Sequence, residues 1–227
     1  MLGGSYLPAG RNPLPAAELT AAQGEGASAR GEPAEAAGPG SVADKAAALE
    51  DIDAGEVRGC TRCGLCESRT QTVFGEGSVD ADVVFVGEGP GAEEDRTGRP
   101  FVGRAGELLT KMIQAMGLGR ADVFICNIVK CRPPGNRAPA PEEVNACWDY
   151  LVRQLQILQP KVIVTLGNPA TQTLLQTRTG ITRLRGQFQP LPMLGPGLEG
   201  IPVMPTFHPA FVLRRYTPDN RRKVWED

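Results

Sequence analysis

The sequence predicts an α/β fold around a short, mostly parallel four-stranded sheet. Three observations carry that expectation. Apolar, β-branched runs near residues 82–87, 122–129, 161–166 and 201–207 each have the length of a buried strand. Segments of helical periodicity separate them, and strands that alternate with helices join into parallel sheets through right-handed crossovers. Polar groups and glycines gather at the carboxyl ends of the runs, where open parallel sheets bind ligands.

The 227 residues, 41% of them apolar, suffice for one such domain. Residues 1–55 are rich in Ala, Gly, Pro and Glu and are expected to form a disordered leader, with a helical turn near 45–52. Too little apolar surface is present there to offset the entropy of ordering. Residues 56–227 are then the domain. Charge divides along the same line: 3 basic against 9 acidic residues in 1–56, and 21 against 17 in 57–227. The body is therefore basic, as a partner of a polyanion requires. No stretch reaches the roughly 20 apolar residues that span a bilayer, and the first residues lack the apolar core of a signal peptide. The expectation is a soluble, cytoplasmic protein with no membrane partner, whose six cysteines are thiols or metal ligands rather than disulfides.

The first strand, Val83-Val84-Phe85-Val86, runs into Gly87-Glu88-Gly89-Pro90-Gly91. Glycines at such a turn let backbone amides approach a small planar or anionic group. The turn has neither the Lys-Ser/Thr ending of a phosphate loop nor the spacing of a dinucleotide site. A helix from about Arg104 to Met116 follows, with Leu108, Leu109, Met112, Ile113 and Met116 on one face and Gly117 and Gly119 at its end. The second strand carries Asn127. Pro141-Glu142-Glu143 opens a long helix to about Leu158, proline first and acids in the first turn. The third strand ends at Gly167-Asn168 and leads into a helix near 169–176. Residues 179–200 read as a loop or short hairpin, basic at Arg183 and Arg185. The fourth strand contains Pro202 and Pro205, which suit an edge or an irregular strand, and ends at His208-Pro209. The chain stops at Arg222–Asp227, in what reads as the beginning of a final helix that is expected to be cut short.

Two constellations stand out. The strand tips bring a backbone cradle, a carboxylate, amides and the chain's single histidine to one rim. Asn127 alone could cap a neighbouring backbone group, and His208 alone could be a surface imidazole; their convergence favours a ligand site. The second constellation is cysteine. Cys60 and Cys63 form a C-x-x-C pair, with Cys131 and Cys147 far downstream. Four thiolates can hold zinc or a four-iron four-sulfur cluster, and the wide second spacing leans towards the cluster. Either would clamp the otherwise coreless segment 57–81 to the domain. Cys66 is a spare candidate, and Cys126, inside a strand, a core thiol.

The motifs Gly87-Glu88-Gly89-Pro90-Gly91-Ala92-Glu93-Glu94-Asp95, Thr97 to Gly106, Asn127 to Arg137 and Phe207-His208-Pro209-Ala210 resemble those of type 4 uracil-DNA glycosylases, the iron-sulfur branch of the uracil-DNA glycosylase superfamily. The resemblance runs from about Cys60 to Asp227. It implies a three-layer α/β/α fold and a monofunctional enzyme of base excision repair, acting as a monomer on uracil in single- or double-stranded DNA. It also implies a four-iron four-sulfur cluster on Cys60, Cys63, Cys131 and Cys147. The uracil site would be the backbone of Gly87 to Gly89, with Phe101 stacking on the base, Asn127 reading its polar edge and His208 facing O2. Glu88, Asn127 and His208 form the catalytic set; whether Glu88 activates water or shapes the pocket against a thymine methyl stays open at this point. A related branch that is trapped covalently on its product has a basic, His-containing insertion where this chain has Arg132 to Arg137, which speaks against that branch. Lys130, Arg132, Arg183, Arg185, Arg214 and Arg215 are candidate phosphate contacts. The rival readings are a metal-stabilised nucleic-acid-binding module without catalysis and a flavodoxin-like nucleotide binder.

Overall fold

The computed structural model describes residues 40–227; the leader assigned to residues 1–55 lies outside the described residues as far as residue 39. In chain order the elements are α1 (Val42–Ile52), β1 (Glu76–Gly77), β2 (Val83–Gly87), α2 (Ala92–Thr97), α3 (Arg104–Ala115), β3 (Phe124–Asn127), α4 (Pro141–Leu158), β4 (Val162–Leu166), α5 (Asn168–Leu174), α6 (Ile181–Leu184), β5 (Gln189–Pro190), β6 (Pro202–Thr206), α7 (Pro209–Arg214) and α8 (Pro218–Glu226).

The sheet has six strands, in the order β1-β3-β2-β4-β6-β5, rather than four. The four expected strands are the parallel centre, and the two additions are antiparallel edge strands of two residues each. Two residues are too short to show any periodicity. Gly77 in β1 reaches β3 only as glycine: a Cβ there would stand 1.8 Å from the Val123 carbonyl oxygen. β6 is correspondingly not the edge. β5 pairs with Pro202 and Val203 only, so Pro205 lacks a ladder partner on that side and its missing N–H costs nothing.

Alternation along the strands separates two cores. Val84, Val86, Cys126 and Ile163 point to one face, under α1, α4 and α5. Phe85, Ile125, Val164 and Leu166 point to the other, where α3 contributes Leu109 and Ile113. This is the three-layer α/β/α arrangement. Met116, placed on the apolar face of α3 by its spacing, is exposed at the helix end instead.

The helical turn expected at 45–52 is a full helix and belongs to the body. Ser41 and Asp44 cap α1 reciprocally, Leu49 and Ile52 are buried, and Lys45 Nζ donates to Asp80 (2.9 Å) and to the Leu158 carbonyl (3.3 Å). This docked helix lies on the leader side of the boundary drawn at residue 55. Nor is segment 57–81 coreless: Val57, Leu65, Val73, Phe74 and Ala81 are buried, and Asp95 accepts from Thr70 N–H (2.9 Å) and Oγ1 (2.7 Å).

Candidate active site

The register of the parallel centre brings Gly87 beside Asn127 at the tips of β2 and β3. Gly167 follows β4, and His208 follows β6 by two residues. A cleft of about 510 Å³ opens at these tips. Glu88, Gly89, Phe101, Asn127 and His208, all expected at the site, line it together, with Arg214 at its wall. Gly87, also expected at the site, is buried behind the lining: a Cβ there would lie 2.5 Å from both Asn127 Oδ1 and Phe101 Cζ. Substituting Gly87 by alanine should therefore abolish ligand binding in the cleft with little loss of folding, checked by calorimetric titration with the free base uracil.

Asn127 is 1% exposed, and its Oδ1 has no hydrogen-bond partner among the described residues. Buried carbonyl oxygens are almost always paired, because an orphan forfeits its hydration without return. An orphan that faces a ring across a glycine is poised for a ligand's N–H. Its backbone is tightly held: Lys130 Nζ donates to the Asn127 carbonyl (2.9 Å), and Ile128 N–H to Gly87 O (3.0 Å).

His208 caps α7. Its Nδ1 accepts from Ala210 N–H (3.1 Å), so the proton of the neutral ring resides on Nε2. Burial, reinforced by the Arg214 guanidinium, lowers its pKa to about 4. The imidazole is thus neutral at pH 7, and its centroid lies 5.6 Å from that of Phe101, tilted by 33°. Gly167, at φ +88°, seats it: a Cβ there would be 2.9 Å from His208 Cβ. Burial pushes the Glu88 carboxyl above the ordinary range, with Arg214 pulling the other way.

The family model of the uracil DNA glycosylase superfamily matches residues 74–227. The chain belongs to the uracil DNA glycosylase superfamily. It is similar to the type-4 uracil-DNA glycosylase of Thermotoga maritima, 50% identical over 180 residues that cover 79% of this chain and 91% of that protein. The Archaeoglobus fulgidus type-4 uracil-DNA glycosylase is 45% identical over 184 residues (79% and 89%), and that of Saccharolobus solfataricus 44% over 182 (78% and 82%).

Within this uracil DNA glycosylase fold, the sequence placed Glu94 in a motif without a role, left Arg120 out and gave Lys130 a different role. Glu94 lies at N3 of α2 and accepts from Gly91 N–H (3.1 Å), Val102 N–H (3.0 Å) and Gly103 N–H (3.1 Å). A glycine three residues before a glutamate at a helix start is a capping-box signal that would have located it. Arg120 donates to the carbonyls of Pro100 (2.8 Å) and Phe101 (3.1 Å). Lys130, expected on phosphate, is buried between the Asn127 carbonyl and Gln154, while Arg185 is committed to Asp227. Neither is available to DNA. Arg183, Arg214 and Arg215 remain exposed, while Arg132 is half-buried with its Nε donating to Asn136 Oδ1 (2.7 Å).

Five of the six cysteines neighbour one another, Cys66 among them through Cys63, and Cys126 stands apart. Cys131 lies within electrostatic reach of Cys60 and Cys63, and Cys147 within reach of Cys63 and Cys131; Cys126 sits in the core under the sheet. Donors face the group: Arg69 Nη1 points at Cys131 Sγ (3.2 Å) and Lys130 N–H at Cys147 Sγ (3.4 Å). Among the described residues no three Cys, His, Asp or Glu side chains converge on a single-ion site. A tetrahedral zinc would draw its sulfurs to within about 4 Å of one another. Thiols supplied with N–H donors suit a metal-sulfur centre, since such donors stabilise thiolate ligands. Among the described residues, no helix is long and apolar enough to cross a membrane.

Proposed function

We propose that this protein excises uracil from DNA by hydrolysing the N-glycosidic bond of a flipped-out deoxyuridine, leaving an abasic site. The observation that carries the reading is the orphaned Oδ1 of Asn127 facing the Phe101 ring across Gly87.

A base cannot be reached inside the duplex, so it is extruded and stacked. Phe101 supplies the aromatic face. Asn127 Oδ1 accepts from uracil N3–H and its amide group donates to O4; cytosine presents the reverse pattern and is refused. As the bond between C1′ and N1 lengthens, its electron pair moves into the base and negative charge collects on O2. The Nε2–H of neutral His208 and the loop amides of Glu88 and Gly89 donate to that oxygen. Water adds to C1′, and its proton ends on the departed uracil anion, so that the products are the abasic sugar and neutral uracil. Two carboxylates line the cleft; Glu94 is saturated by backbone N–H groups, and the Glu88 carboxylate has no hydrogen-bond partner among the described residues. Glu88 is therefore the group that orients the water.

Because Glu88 works ionised and its pKa is raised, activity should fall on the acid side at a pH above the usual carboxylate value of 4.5, and Glu88→Gln should remove that limb. A pH series of single-turnover rates checks this. Uracil-containing oligonucleotides, single-stranded and duplex, treated with protein and then alkali, test the function itself. Scission confined to the uracil position supports it, and intact strands would reject it.

Cys60, Cys63, Cys131 and Cys147 would hold a four-iron four-sulfur cluster. When bound, the cluster supplies a cross-link between segment 57–81, the loop after β3 and α4. Metal analysis should find iron and acid-labile sulfide in about equal amounts, and Cys131→Ser should lower both along with the melting temperature; zinc in their place would overturn the assignment. The exposed Arg214 and Arg215 suit phosphate contacts, and the protein acts as a monomer.

A further inference from the structure

Phe101 is one of four non-glycine residues with positive φ among the described residues, at 51°. Its Cβ makes that conformation unfavourable, and such strain persists only where the surroundings over-determine it. What holds it is visible on both sides of the residue. The two carbonyls, of Pro100 and Phe101, accept from the two arms of the Arg120 guanidinium (2.8 and 3.1 Å). The next two N–H groups, of Val102 and Gly103, donate to Glu94 Oε1 (3.0 and 3.1 Å). Gly106 closes the arrangement from below, where a Cβ would stand 1.8 Å from the Phe101 carbonyl oxygen.

Both gripping groups are themselves anchored. Arg120 also reaches Glu76 (3.4 Å), which takes Arg99 in a two-pronged pair (2.6 and 2.9 Å). Glu94 is pinned to the glycine cradle through Gly91 N–H. The ring they deliver has little latitude, since its Cζ already lies 2.5 Å from where a Cβ on Gly87 would be. A displacement of a few tenths of an ångström would either close the space over Gly87 or withdraw the stacking face.

We infer that Arg120 and Glu94 are positioning residues, a two-sided clamp that locks the left-handed turn at Phe101 and so presets the ring against which the extruded base stacks. Arg120 lies outside every motif read from the sequence and outside the cleft lining. The inference rests on the assignment of Phe101 as the stacking ring.

Double-mutant cycles test it, with single-turnover uracil release measured per mole of folded protein. Phe101→Ala should slow release about 30-fold, in line with the loss of a stacked aromatic face worth roughly 1–3 kcal/mol. Arg120→Met should slow it about 10-fold. In the Phe101→Ala background Arg120→Met should cost less than 2-fold, because the clamp then has no ring to place. Affinity for duplex carrying an abasic site should be unchanged in Arg120→Met. Glu94→Gln provides a second cycle with the same expectation. Arg120→Lys, which retains charge but not the fork, serves if the methionine variant fails to fold. Fully additive losses would assign Arg120 and Glu94 to general stability and overturn the clamp. An undiminished rate in Phe101→Ala would instead reject the stacking assignment.

Discussion

Asn127→Ala should lower single-turnover release of uracil about 1,000-fold, while the melting temperature stays level or rises. The two halves of this expectation come from one atom. In the free protein Oδ1 is buried without a partner among the described residues, so it contributes nothing to stability and carries a desolvation cost of about 1–3 kcal/mol. Alanine removes that cost and leaves a small cavity of opposing sign. In the complex the same oxygen and its amide group meet the polar edge of the base. Losing both leaves a buried N3–H and O4 unpaired, and sites built on such hydrogen bonds discriminate by about 10⁴. The preference for uracil over cytosine should therefore collapse together with the rate. A variant that loses stability in proportion to activity would show Asn127 to be a structural amide. Stacking on Phe101 survives the substitution, so affinity for uracil-containing DNA should fall by less than the rate does.

Much of this site was legible because strand ends are legible. Gly87, Asn127, Gly167 and His208 each follow or close an apolar run, and the topology of a parallel sheet sends all such positions to one edge. The order of the central strands, β3-β2-β4-β6, has no such local signal. Lys130 shows where that reasoning stops. A lysine beside a strand end reads as a solvent-facing cation, and only the packing of α4, which places Gln154 over it, reveals a buried donor to the Asn127 carbonyl. The roles of Glu94 and Arg120 were hidden for a related reason: both residues act on backbone groups of a turn without periodicity, and Phe101's left-handed conformation has no signature in its residue type. The docking of α1 was missed because its apolar face is only Leu49 and Ile52, too sparse to outweigh an alanine-rich composition. Local rules located the ligand's walls; the struts behind them are long-range.

His208→Ala should slow uracil release by about 100- to 1,000-fold, the usual loss when one donor to a developing oxyanion is removed. The pH dependence identifies the form that works. With a folded-state pKa near 4 the ring is neutral across the range where the enzyme is assayed, and Nδ1 is occupied by Ala210 N–H, so Nε2–H is the donor at every pH above about 4. The ratio of wild-type to variant rate should accordingly stay constant from pH 8 down to about pH 5. A catalytic imidazolium would make that ratio climb as pH falls through 6.5. Stability should behave differently from rate. The folded pKa is depressed below the unfolded value of 6.5, so the contribution of the neutral ring is complete above pH 6.5 and is lost as pH falls towards 4, where the unfolded chain takes up a proton that the folded one refuses. Denaturant titrations should show wild type losing stability across that window and His208→Ala lacking the part of the slope due to this group. A neutral donor is also the one consistent with Arg214 nearby: a second cation beside that guanidinium would cost more on formation than its hydrogen bond to a departing uracil anion returns.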